Sequence, residues 1–157
     1  MKLAVLALLS SFSLSSFSSE LTQHLRDFDS EELFENHLQK IKTECLGKSM
    51  GGSRAVSCFS AYSEAWDKEL NYYYNLLKSE LTEENQDLLK SAQLSWIKNR
   101  DSAIDFNSAL LDAKYEDKQG TMYVAMRSGD ASRAISPIIR NRALLIKQWY
   151  VSVVSAK

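Results

Sequence analysis

Residues 58–101 read CFSAYSEAWDKELNYYYNLLKSELTEENQDLLKSAQLSWIKNRD, and their spacing decides the fold. In the first half, Phe59, Tyr62, Trp66, Leu70, Tyr73, Leu77 and Leu81 recur at steps of three and four. A helix of 3.6 residues per turn brings such positions onto one face, so this half predicts an amphipathic α-helix. The second half repeats the device with Leu89, Ala92, Trp96, Ala103 and Leu110. Between them, Leu81-Thr82-Glu83-Glu84 reads as a helix stop followed by a new start: Thr82 suits an N-cap, and two carboxylates complement the positive helix end. So short a connection makes the two helices antiparallel neighbours.

The 157 residues suffice for one domain with a real core. One proline, three tryptophans and 45% hydrophobic residues describe a globular helical chain rather than a disordered one. A formal charge of -1 gives no polybasic argument for nucleic acid. The first residues, MKLAVLALL, are a lone positive charge and a short apolar run, followed by a serine-rich stretch with small residues suited to cleavage after Ser18. This predicts a secretory signal peptide over 1–18 and one helical domain over 19–157. A membrane anchor needs about 20 apolar residues, and the serines interrupt the run. The mature protein is therefore expected to be soluble and periplasmic or secreted, with no membrane span.

Export gives meaning to Cys45 and Cys58. In an oxidising compartment a chain with 2 cysteines has one intramolecular bridge available. Closing it stabilises the fold by about 3 kcal/mol in the chain-entropy model. Residues 46–54, which the pair brackets, read as a flexible loop holding three of the five glycines. Upstream, Ser30-Glu31-Glu32-Leu33 opens a helix over about 30–44, with looser residues before it. Downstream, the second hairpin helix runs to about Tyr115. A short helix over 121–126 is ended by Ser128-Gly129-Asp130. A last helix presents Ile135, Ile138, Ile139, Leu145, Ile146, Trp149 and Val153, and Pro137 either opens its regular part or kinks it. The predicted class is all-α: a bundle of four or five helices built on the hairpin. From residue 119 onward the chain is strongly basic and the remainder acidic, so the halves are expected to complement each other.

A search for catalytic chemistry finds none. His24 and His37 lie in the peripheral N-terminal segment and read as solvated, no serine or cysteine sits in a nucleophile elbow, and no glycine-rich phosphate loop is present. No metal set and no cofactor is expected, and the chain reads as a non-enzyme. More telling are polar residues on the hairpin: Asp67, Asn71 and Tyr74 share one helix side, and Gln93, Trp96 and Arg100 share one on its partner. Folding at Leu81 sets Asn71 against Ala92 and Gln93, with Asp67 about one turn from Arg100. Together with Asp101 they read as a hydrogen-bonded set fixing helix register, because half-satisfied buried polar groups are costly; a recognition surface is the other reading. Of Tyr72, Tyr73 and Tyr74, pointing about 100° apart, at least one must lie under the N-terminal segment or face solvent.

Leu70-Asn71-x-x-Tyr74 followed by Ala92-Gln93-x-x-Trp96-Ile97-x-x-Arg100-Asp101 resembles the signature of the LprI-like family, small exported bacterial proteins named for a mycobacterial lysozyme inhibitor. Cys45 and Cys58 resemble its leading cysteine pair; Gly120-Thr121-Met122, Arg140 and Arg142 resemble its closing section. The resemblance covers about 45–146. Family members often carry another cysteine just after the Arg-Asp, close to where Ile104 stands here, with a partner nearer the C-terminus that this chain also lacks. The namesake is a lipoprotein, whereas no lipidation cysteine occurs near this chain's cleavage site. The resemblance implies a non-enzymatic binding protein that shields cell wall from a muramidase. Two surfaces compete for such a protein partner: the cysteine-bracketed loop with Lys48, Ser49, Met50 and Arg54, and the acidic stretch with Asp29, Glu31, Glu32 and Glu35. An envelope interaction or immunity protein is the alternative reading. Oligomeric state is left open by the sequence.

Overall fold

The computed structural model describes residues 23–48 and 51–156; the signal-peptide stretch lies outside them. After a 3-10 turn, Leu25–Asp27, come four helices: α1 (Glu31–Gly47), α2 (Gly52–Glu80), α3 (Glu83–Tyr115) and α4 (Thr121–Ser155). The described residues contain no strand.

Ser30 caps α1, its hydroxyl accepting from the Leu33 amide at 3.1 Å. Both helices around the cysteines run further than the sequence suggested. α1 keeps Leu46 and Gly47, and α2 already begins at Gly52. The Cys45–Cys58 disulfide (Cα–Cα 5.7 Å) ties the last turn of α1 to an early turn of α2. Thr82 does stand at the N-cap of α3, but without a side-chain cap bond. Leu81 and Thr82 alone separate α2 from α3.

The last part of the chain departs most from expectation. The predicted short helix and final helix are one continuous α4, running through both Gly129 and Pro137. Gly129 is a packing position and not a stop: a Cβ there would meet the Phe59 ring at 3.2 Å. Asp130 is held by Lys114 and Tyr115 of α3 and by Arg133.

α4 packs most extensively on α2, and the two run parallel. Gly52 meets Thr121 and Val124, Ser63 bonds Ser136 at 2.7 Å, Arg140 lies over Trp66, and Tyr73 faces Tyr150. At the start of this seam a Cβ on Gly52 would sit 2.5 Å from the Thr121 carbonyl oxygen, so glycine is what lets the helices approach there. α1 runs antiparallel along both, and α3 runs back along α4, meeting it at Gln93 with Arg142 and at Asp112 with Arg127. The core joins Phe34 and Leu38 of α1 to Tyr62, Trp66, Leu70, Tyr73 and Leu77 of α2 and to Ala143 and Ile146 of α4. Phe34 and Trp66 are fully enclosed and meet edge to face at 5.1 Å. Burying each such side chain stabilises the fold by roughly 1.5–3 kcal/mol. From α3 only Leu89, Leu111 and Tyr115 are buried.

Candidate functional site

The most connected polar centre is Glu35. Its Oε1 accepts from the Tyr62 hydroxyl and the Gln39 amide, both at 2.6 Å, and its Oε2 accepts from Trp66 Nε1 at 3.1 Å. Arg140 Nε approaches Oε2 at 3.3 Å, off the hydrogen-bonding direction, as an ion pair. Burial pushes this carboxyl's pKa up, but the Tyr62 and Gln39 bonds, the Arg140 charge and the Trp66 donor outweigh it, and the net shift is downward. Tyr62, buried and bonded to Glu35, is pushed up to about 12. Burial lowers Lys42, whose ammonium caps the Tyr62 ring at 4.4 Å.

A second centre ties down the N-terminal segment. His24 Nδ1 lies 2.8 Å from Glu69 Oε1, and Glu69 is buried. Contrary to the expectation of a solvated histidine, His24 gives one oxygen of the buried Glu69 a partner, where an unpaired polar atom is costly. Arg26 covers the Tyr72 ring at 4.6 Å, so Tyr72 is the member of the tyrosine triplet beneath this segment, while Tyr73 is buried. Burial, followed by the Glu69 charge, raises Tyr73 to about 12. His37 packs on Phe28 at 5.1 Å.

The polar set read across the hairpin is distributed differently from its expected pairing. Asp67 and Asn71 bond each other within α2, the Asn71 amide donating at 2.9 Å to both the carbonyl and the carboxylate of Asp67. Tyr74 is half-buried against the core. On α3, Arg100 bonds Asp101 at 2.7 Å and covers the Trp96 ring. Gln93 accepts from Arg142 of α4 at 3.0 Å. Arg142 lies between the Trp96 and Trp149 rings at 5.7 and 5.3 Å, and burial lowers its pKa. Gln93 and Trp96 thus face α4, which occupies the position beside α2, while Arg100 and Asp101 pair with each other. Glu35, Glu69 and Arg142 were not singled out from sequence as interior charges. The signal for Arg142 was present, since it falls in step with Ile135, Ile139, Ile146 and Trp149.

The two candidate binding surfaces occupy opposite halves of the bundle. At the disulfide end, Lys48 and Arg54 are exposed; Ser49 and Met50 lie outside the described residues. Around the start of α1, Asp29 and Glu32 are exposed, Glu31 pairs with Lys147 at 2.8 Å, and Glu35 is turned inward to the hub above. The basic C-terminal part thus meets the acidic part inside one bundle, through Arg127, Arg140 and Lys147. Among the described residues, no group of three or more His, Cys, Asp or Glu is placed to hold a metal ion. No helix among them is long and apolar enough to cross a membrane. The depressions include open grooves, such as one of about 540 Å³ lined by Glu31, Leu144, Lys147 and Gln148 and one of about 300 Å³ lined by Lys42, Tyr62, Ser132, Arg133 and Ser136.

No curated protein and no solved structure matches the chain. The family model described as lysozyme inhibitor LprI matches residues 45–135, which takes in the disulfide, all of α2 and α3 and the first part of α4. With more than half of its length matched, including the cysteine pair and the Asn71, Gln93, Trp96 and Arg100 positions, this chain belongs to the LprI lysozyme-inhibitor family.

Proposed function

We propose that the protein is an exported, non-enzymatic inhibitor of lysozyme-type muramidases, released by cleavage of the 1–18 signal peptide and acting as one helical domain outside the cytoplasm. The observation that carries this reading is the family match over 45–135. A disulfide-tied bundle supports it physically, since a surface already held in shape loses less freedom on binding. Of the two surfaces, the start of α1 suits a cationic enzyme better. Asp29 and Glu32 are exposed there, whereas the opposite end carries the exposed cations Lys48 and Arg54.

The test is lysis of a cell-wall suspension by lysozyme, followed as turbidity, with mature oxidised protein added in increasing molar ratio. Progressive protection is expected. A double charge reversal at Asp29 and Glu32 (D29K with E32K) should weaken protection, and reversal at Lys48 and Arg54 (K48E with R54E) should not. Undiminished lysis at large molar excess removes the inhibitor reading.

A further inference from the structure

α3 carries a second ordered face, turned away from the bundle. Between residues 88 and 113, exposed positions on that face follow one another at intervals of four, three, four, three, four, three and four. This is the heptad spacing of a helix seam, and it reads the same from either end. Leu88 and Phe106 stand on it at 64% and 67% exposure, with Leu110 beside it at 54%. Small side chains, Ala92, Ser95, Asn99 and Ser102, fill the seam between the two bulky ones, so the face offers two separated apolar knobs with shallow surface between them.

We infer that this face is covered by a second copy of the same chain, with the two α3 helices antiparallel about a two-fold axis between Arg100 and Asp101. The spacing admits several antiparallel registers, and the one centred there pairs positions whose residue numbers sum to 201. Under that rule Leu88 meets Ala113, Ala92 meets Ala109, Ser95 meets Phe106 and Asn99 meets Ser102. Each bulky side chain therefore meets a small one, which lets the helices interdigitate. One residue outside the seam, exposed Lys98 of one copy falls beside exposed Asp105 of the other, and the axis generates this pair twice. Self-complementarity in both size and charge is what a two-fold interface demands of one surface; an unrelated partner would require neither. The seam extends for about 38 Å, from 25 residues at 1.5 Å each.

Sedimentation equilibrium on the mature, oxidised protein tests this. The wild type is expected to sediment at twice the chain mass at about 100 μM. Phe106→Glu should be monomeric with unchanged helical circular dichroism. Lys98→Asp should weaken the dimer about tenfold, and adding Asp105→Lys in the same chain should restore it. A monomeric wild type overturns the inference. So does a Phe106→Glu variant that still dimerises, or a double reversal that fails to restore. A monomeric wild type whose Phe106→Glu variant loses lysozyme inhibition would assign the face to the enzyme instead.

Discussion

Replacing Glu35 by alanine should produce the largest stability loss of any single polar substitution in the α1–α2–α4 core. The side chain is 19% exposed and accepts three hydrogen bonds besides pairing with Arg140. Hydrogen bonds to a charged group are worth about 1.5–3 kcal/mol each, though they are not additive when they share one acceptor. Removing one partner of a buried pair typically costs about 3–5 kcal/mol, because the other partners are left without water or acceptor. Partial exposure places the expected loss at the low end, about 3 kcal/mol. Glu35→Gln keeps an acceptor oxygen and should lose about 1–2 kcal/mol. Urea unfolding followed by far-ultraviolet circular dichroism reads both. The pH dependence supplies a second check. The folded-state pKa of Glu35 lies below its ordinary value of 4.5. Its ionic contribution is therefore fully present above that value and is lost as pH falls through the folded-state pKa. The gap between wild type and Glu35→Gln should thus close on acidification. A Glu35→Ala loss below about 0.5 kcal/mol, the range of an ordinary surface substitution, would refute the assignment of Glu35 as an interior hub.

Other substitutions probe the remaining framework. Removing the disulfide by Cys45→Ser with Cys58→Ser releases a loop with sequence separation 13. It should lower stability by about 3 kcal/mol, measured as a shift in urea midpoint against the oxidised wild type. Gly52→Ala puts a methyl group against the Thr121 carbonyl and Val124. Overpacking against backbone predicts a loss of about 1–3 kcal/mol, and an unchanged melting temperature would show that α2 and α4 do not meet there. Tyr62 and Tyr73 are both raised to about 12. Their contribution is present below the ordinary phenol value of 10.0 and is lost as pH rises through about 12. Tyr115 is shifted upward as well, by burial and its bond to Asp130, so alkaline titration by phenolate absorbance should find at least two fewer ionised tyrosines in the native protein than in urea near pH 11.

What could be read from sequence was whatever depends on local periodicity. The face of α2, the Ser30 cap, the turn at Leu81-Thr82 and the cysteine pairing all follow from spacing or chemistry within a few turns. The stripe expected on α3 is not its packing face: of its members only Leu89 is buried, while Ala92 and Leu110 face outward, because α3 packs through Leu89, Leu111 and Tyr115. What could not be read was which helix lies beside which. A short connection puts α3 near α2, yet the broad contact of α2 is with α4, and no local signal specifies a parallel partner seventy residues away. The break assigned to Ser128-Gly129-Asp130 failed for a related reason. Glycine inside a helix is intrinsically unfavourable by roughly 1 kcal/mol, but the Phe59 ring packs against Gly129 and offsets that tendency. Glu69 and His24 illustrate the same limit, since 45 residues of chain separate two groups that only tertiary structure brings together.

The interior charges bear on how the bundle presents its surface. Hydrophobic burial alone would allow α1 to slide or rotate against α2 and α4, since leucine and phenylalanine contacts are nearly interchangeable from one turn to the next. Glu35 on Arg140 and Glu31 on Lys147 remove that freedom, because either slip would leave a charge unpaired in a partly desolvated position. The same two pairs commit half of the acidic stretch to α4, Glu35 turned inward and Glu31 paired at the surface, and leave Asp29 and Glu32 outward. Within this segment Glu31 and Glu35, one turn apart on α1, both pair with α4, while Asp29 and Glu32 point away from it. With only two outward carboxylates, attraction to a cationic enzyme would act mainly on encounter rate. Lasting affinity would have to come from shape, and the disulfide and the charged pairs are what hold that shape still.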